Sequence, residues 1–126
     1  MGRMNDLGAA KVEVLLQTQA GGDVTGTGKD ITKYEGVALF IFDANFTSGT
    51  ATLDMILEES DAVGGTYTAV PGGAFTQVGA ADATRTLSLN LDGRKAFIRA
   101  VADIGGGSPV YAGMCVFMVA FEKYQS

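Results

Sequence analysis

Apolar and polar side chains alternate with a period of two along most of this chain. The clearest run covers residues 84–91, where Leu87, Leu89 and Leu91 fall on one face and Thr86, Ser88 and Asn90 on the other. That period marks a half-buried strand, because successive strand side chains point to opposite faces. Asp92-Gly93 follows, and then a second strand-like run over residues 94–104. Asp-Gly between two strand patterns predicts a two-residue hairpin, since both residue types tolerate positive φ. The implied register sets Leu91 opposite Arg94, Leu89 opposite Ala96 and Leu87 opposite Ile98. Directly opposed residues share a face, so Leu87, Leu89, Ile98 and Ala100 are expected on one apolar face. A turn one residue longer would swap one strand's faces.

The remaining pattern extends the same picture. Residues 10–19 read as a first strand with Val12, Val14 and Leu16 on one face. Residues 20–28 are polar and rich in Gly and Thr, a loop or weak edge strand, and residues 30–34 suit a short strand or turn. Residues 37–46 are β-branched and aromatic and apolar on both faces, which predicts a central strand covered on both sides. Residues 50–59 set Leu53, Met55 and Leu57 against Asp54, Ile56 and Glu58. A helix competes here, but the apolar spacing of two and the lack of a helix cap favour a strand. Short strands are expected around Tyr67 and around Phe75, separated by Pro71-Gly72-Gly73. Residues 110–121 are the most apolar stretch and again apolar on both faces. Such a strand sits in mid-sheet, or has core on one side and a subunit contact on the other.

About eight short strands spaced by roughly ten residues, with no helix, predict an all-β protein: an antiparallel β-sandwich, jelly-roll-like, in a single domain. Residues 1–9 show no period and read as a flexible N-terminal arm, leaving 10–126 as the sandwich domain. A chain of 126 residues is long enough for one core without staples. Its 18 glycines against 2 prolines suit tight turns rather than a Pro-rich linker.

Charge and composition narrow the function. The net charge is −5 and the basic residues are scattered, which argues against a nucleic-acid binder. No stretch has the length or apolarity of a membrane-spanning helix, and the N-terminus lacks the apolar core of a signal peptide, so the chain is expected to be made in a cytoplasm and to stay there or be assembled there. The single cysteine, Cys115, cannot form an internal disulfide and reads as a small buried hydrophobe. With no histidine, the chain has no Ser-His-Asp triad, Cys-His pair or histidine metal site.

Other candidate chemistry fails on detail. Gly26-Thr27-Gly28-Lys29-Asp30 lacks the spacing of a phosphate loop and has Asp30 where a magnesium-binding hydroxyl belongs. Glu58, Glu59 and Asp61 cluster at a strand end but lack the ladder of a calcium loop, and read as a solvated acidic end. Tyr34, Tyr67, Tyr111, Tyr124 and Phe97 are the rings available for a sugar-binding platform; the alternative is that they pack in the core. No catalytic, metal or cofactor-binding residue is assigned, and no cofactor is expected.

What is left concerns assembly. Three segments carry a resemblance: residues 51–61 (Ala-Thr-Leu-Asp-Met-Ile-Leu-Glu-Glu-Ser-Asp), residues 65–70 (Gly-Thr-Tyr-Thr-Ala-Val), and residues 87–101, a Leu-x-Leu strand running into Ile98-Arg99-Ala100. Over residues 30–121 the chain resembles the jelly-roll decoration, or cement, proteins and minor head proteins of tailed bacteriophages. It departs from their pattern at Ala62-Val63-Gly64, where a tighter Asp-Gly turn is usual, and at Ala96, where a bulkier residue is common. The resemblance brings no catalytic residues. It implies a non-enzymatic virion structural protein on the capsid exterior, with the major capsid protein as partner and a homo-oligomer, a trimer by preference. A tail or baseplate component, or a carbohydrate-binding jelly roll, is the alternative. The expected assembly contacts are Met4 and Leu7 in the arm, and Tyr111, Met114, Val116, Met118 and Phe121 in the last strand.

Overall fold

The computed structural model describes residues 10–123. Met4 and Leu7, and with them the expected arm, lie outside the described residues, as does Tyr124. The described chain forms nine strands: β1 (Ala10–Ala20), β2 (Val24–Thr25), β3 (Lys29–Asp30), β4 (Tyr34–Ser48), β5 (Thr52–Ser60), β6 (Thr68–Ala74), β7 (Ala83–Asn90), β8 (Phe97–Gly105) and β9 (Val110–Glu122). All pairings are antiparallel. Sheet A has the order β1-β9-β4-β7; sheet B has the order β2-β8-β5-β6, with β3 also on β8.

This order is that of a jelly roll. Count β2 and β3 as one interrupted strand, and the chain becomes a single long hairpin. First pairs with last (β1 with β9), then β2 and β3 with β8, β4 with β7, and β5 with β6. The hairpin is rolled so that β9 also meets β4 and β8 also meets β5. The roll divides the pairs between two facing sheets, the double-sheet architecture of two Greek keys. The expected antiparallel sandwich is therefore present.

The core lies between the sheets. Sheet A contributes Ala38, Phe40, Phe42 and Ala44 from β4 and Met114, Val116, Met118 and Ala120 from β9; sheet B contributes Leu53, Met55, Leu57, Ile98, Ala100 and Ala102. Each set is spaced by two, so strand alternation alone turns it inward. Phe42 meets Phe75 edge to face at 5.6 Å, and Phe46 meets Tyr111 at 5.6 Å. Residues 50–59 are strand, as the spacing of two predicts. Pro71-Gly72-Gly73 falls within β6 but interrupts its pairing: Ala69 faces Glu58 and Ala74 faces Ile56, so residues 70–73 bulge from the edge strand, with Gly72 at φ 77°. β6 ends at Ala74 and no separate strand surrounds Phe75, but the chain stays on β5: Phe75 N–H donates to the Met55 carbonyl at 3.0 Å and Val78 bridges to Leu53.

Three expectations are corrected. First, residues 84–104 are not a hairpin. β7 pairs with β4 in sheet A and β8 with β5 in sheet B. Asp92-Gly93 does turn the chain, with Arg94 N–H donating to the Leu91 carbonyl at 3.1 Å. Of the two, only Gly93 has positive φ, at 82°. A two-residue hairpin needs positive φ at the first central residue; positive φ at the second alone gives a type II turn, which does not match strand twist. The turn instead carries the chain from one sheet to the other. Leu87 and Leu89 still share the core with Ile98 and Ala100, but from opposite sheets.

Second, Val12, Val14 and Leu16 do not share a face. A bulge between Val14 and Leu16 shifts the register on β9. Val12 and Val14 point out, while Leu15 and Leu16 are buried; an extra residue in one strand reverses the parity beyond it. Third, β4 is central in its sheet but covered on one side only. Val37 and Leu39 face outward and are exposed.

Candidate assembly face

The outer surface of sheet A is built by four strands in fixed register. One row across it reads Val12, Val119, Leu39, Ser88; the next reads Val14, Phe117, Ile41, Thr86. A third row, two residues along, reads Gln17, Cys115, Asp43, Thr84. Phe121 and Val37 extend the apolar rows at the opposite end. Val12 and Val37 are about 60% exposed, and Val14, Leu39 and Phe121 about 40%. Ile41, Phe117 and Val119 are half-buried by these neighbours. The result is an apolar plate over β1, β9 and β4, edged along β7 by Thr84, Thr86, Ser88 and Asn90.

The plate exposes on the order of 400 Å² of apolar surface, the range in which the largest patch of a monomer is often functional. No lysine or arginine stands in its rows. Its acids lie at the ends: Asp43, which accepts a hydrogen bond from Thr84 Oγ1 at 2.8 Å, and Glu35, opposite Phe121. Beside Asp43, the small residues Ala112 and Gly113 leave a depression of about 380 Å³, also lined by Gln17, Asn45 and Cys115. Burial raises the Cys115 thiol above its ordinary range, and the Asp43 carboxylate raises it further. Cys115 is thus half-buried on an outer face rather than in the core.

Sheet B presents a different exterior. Its outward row pairs are Asp54 with Asp103, Ile56 with Val101 and Glu58 with Arg99. Gln77 donates to both carboxylate oxygens of Asp54, at 3.0 and 3.1 Å. Charged and amide groups break up the apolar surface on this side, so the two faces of the sandwich differ in kind.

The structure moves most of the expected contact residues inside. Tyr111, Val116 and Met118 are fully buried and Met114 nearly so. They line the core and cannot touch a partner. The reason is parity: a strand apolar on both faces does not reveal which set turns inward. A bulge at Ala112, visible as a register shift against both β4 and β1, puts Tyr111 and Met114 on the same side despite their odd spacing. Phe121 is exposed at the end of the plate. The outer face of the last strand is instead Phe117, Val119 and Phe121, joined by Leu39, Ile41, Val37, Val12 and Val14. Their signal was present as doubly apolar strands, but only the strand order makes them neighbours.

Other candidates are also placed. Glu58 is bound by Arg99 and Glu59 is buried against Arg94 at 3.3 Å, so this acidic end is paired rather than solvated; Asp61 alone is exposed. Tyr34 and Tyr111 are buried and Tyr67 lies under Arg99, so these rings form no row. Burial raises the Tyr34 and Tyr111 phenols above their ordinary range. Among the described residues, no three His, Cys, Asp or Glu side chains come together in a metal-binding arrangement, and no helix is long and apolar enough to cross a membrane.

No family model matches this chain, and no curated protein matches it. Among solved structures it is similar to RmlC from Streptococcus suis, in complex with dTDP-D-xylose, at 12% identity and a TM-score of 0.29, over 95% of this chain and 47% of that one. It is also similar to a chain in the structure of infectious bursal disease virus Gx strain, at 12% identity and a TM-score of 0.33, over 90% of this chain and 32% of that one. The chain thus spans about half the length of the first and about a third of the second. The jelly-roll assignment rests on the strand order and not on these likenesses.

Proposed function

We propose that this chain is a non-enzymatic structural protein of a virion, built in many copies onto the exterior of a tailed-phage head and stabilising it. The observation that carries this reading is the apolar outer plate of sheet A. Burying about 400 Å² of apolar surface contributes roughly 10 kcal/mol before association costs. A sandwich that leaves such a plate open beside a long edge strand is prone to aggregate, so in the assembled particle a protein surface covers it, whether the head's or a neighbouring copy's. On a symmetric head, many copies held at once add avidity that a single contact lacks. The resemblance of residues 30–121 to jelly-roll cement and minor head proteins agrees with this role.

The test is pelleting with empty tailed-phage heads from the same source that lack this protein. Saturable co-sedimentation, with heads that resist heat better afterwards, is expected. Protein that stays in the supernatant at micromolar concentration, and heads of unchanged thermal stability, would refute the reading.

A further inference from the structure

The plate is the outer face of a four-stranded antiparallel sheet. Such a face is covered well by another sheet, packed about 10 Å away with strands nearly aligned. We infer that the occupant is a second copy of this chain, packed sheet A against sheet A about a two-fold axis that runs across the strands. This inference rests on the reading of sheet A as an assembly face and names the neighbour on it.

Area is the first argument. Four strands about 4.8 Å apart, paired over about nine residues at 3.4 Å each, make a plate of roughly 19 by 30 Å. Two such plates bury about 1,100 Å² before side-chain relief is counted, which clears the roughly 1,000 Å² of a specific interface. Composition is the second. Faces between identical chains are the more apolar ones and their centres are depleted of charge, and the two central rows, Val12-Val119-Leu39 and Val14-Phe117-Ile41, hold no charged group. A contact with a different protein draws its register largely from charge complementarity, and those rows offer none.

The same residues select the axis. A two-fold along the strands would set β1 over the partner's β7, placing Val12 and Val14 on Thr and Ser. A two-fold across the strands sets each strand over its own copy, so apolar rows meet apolar rows and the polar β7 edges meet each other. Each end of the plate carries one acid, Asp43 at one and Glu35 at the other, so charge does not distinguish the two axes and the match of apolar rows decides. A trimer, the state the family resemblance implies, would use two different patches on each chain, and sheet A offers one.

The experiment is sedimentation equilibrium of the full chain at micromolar concentration, with far-UV circular dichroism as the folding control. The expected mass is twice the 13.0 kDa of one chain. Leu39→Lys, at a half-exposed position at the centre of the plate, is expected to raise the dissociation constant about thirtyfold or more while the spectrum is unchanged. Val12→Lys, on the exposed edge strand, provides the same reading should Leu39→Lys fold poorly. With Cys115→Ala in place, Ser88→Cys is expected to join two chains through a bismaleimide of roughly 10 Å reach, and Asp103→Cys on sheet B is not. A monomer, a trimer, or a pair that survives both lysine substitutions overturns the inference. A monomer that still pellets with heads overturns it and leaves the virion role standing; a pair that does not pellet with heads does the reverse.

Discussion

Arg99 on β8 lays its guanidinium over the Tyr67 ring, 3.9 Å from the centroid, while its Nε and Nη2 both donate to Oε1 of Glu58, at 2.9 and 2.7 Å. One side chain thereby ties the loop that carries Tyr67 to two strands of sheet B; the Tyr67 hydroxyl donates back to the Val63 carbonyl within that loop. A lysine keeps the charge but has neither the planar surface nor the paired donors. Arg99→Lys is expected to cost about 1 kcal/mol and Arg99→Ala about 1–2 kcal/mol, the group being partly exposed. Urea unfolding checks this, and a loss within error for both would mean the clamp is ornamental.

Glu59 holds the sheet-to-sheet crossing. Its Oε1 accepts the Lys95 backbone N–H at 3.0 Å and its Oε2 accepts from Arg94 at 3.3 Å, with the residue 7% exposed. Glu59→Ala leaves a buried donor unmet and is expected to destabilise by about 1–3 kcal/mol. Amide exchange at Lys95 should quicken in the variant; an unchanged rate would place the anchor elsewhere.

Gly106 closes the loop between β8 and β9 at φ +119°, and a Cβ there would fall on the Thr50 carbonyl oxygen. Backbone oxygen cannot swing aside, and a side chain at that φ is strained as well. Gly106→Ala is expected to cost about 2 kcal/mol or more, read as a fall in thermal midpoint. Gly79→Ala, with open space around it and no positive φ, is the matched control and should be near neutral.

Residues on the two faces of β4 should respond to truncation by different amounts. Phe42 is fully buried and packs on Phe75, so Phe42→Ala is expected to cost about 3–5 kcal/mol through the cavity it leaves. Leu39→Ala opens no cavity in the single chain and should cost well under that, about 1 kcal/mol, when unfolding is measured on dilute protein. Equal losses would mean that Leu39 is packed as core.

Alkaline pH should destabilise the fold. Tyr34 and Tyr111 are held neutral in the fold because burial raises their phenols, while in the unfolded chain they ionise in their ordinary range near about 10. Above that value the unfolded chain binds fewer protons than the folded one, so stability present below about pH 10 falls as pH rises through the folded values. Urea midpoints at pH 8 and pH 11 check this, and Tyr111→Phe should flatten the decline. That variant also forfeits the hydrogen bond to the Gly79 carbonyl, so the slope with pH, not the absolute stability, is the readout.

How far the sequence reads through can be judged from particular residues. Leu53, Met55 and Leu57 were legible as an inward row because their opposite positions include acids. Asp92-Gly93 was legible as a turn, but its type was not, because both residues permit positive φ and only Gly93 adopts it. Tyr111 and Met118 could not be told from Phe117 and Val119, since all four are apolar and only packing chooses the inside. The β1 bulge that parts Val14 from Leu16 has no mark in composition.

By itself, the sequence determined the strands, their alternation and the absence of a histidine-based site, because these depend on residue type and on spacing along a few neighbours. Only the tertiary structure decided which sheet each strand joins and which apolar face stays outside. Those depend on φ at one glycine, on bulges that reverse parity, and on the rolling of one long hairpin. That rolling brings Val12, Val119 and Leu39 into one row from three distant parts of the chain.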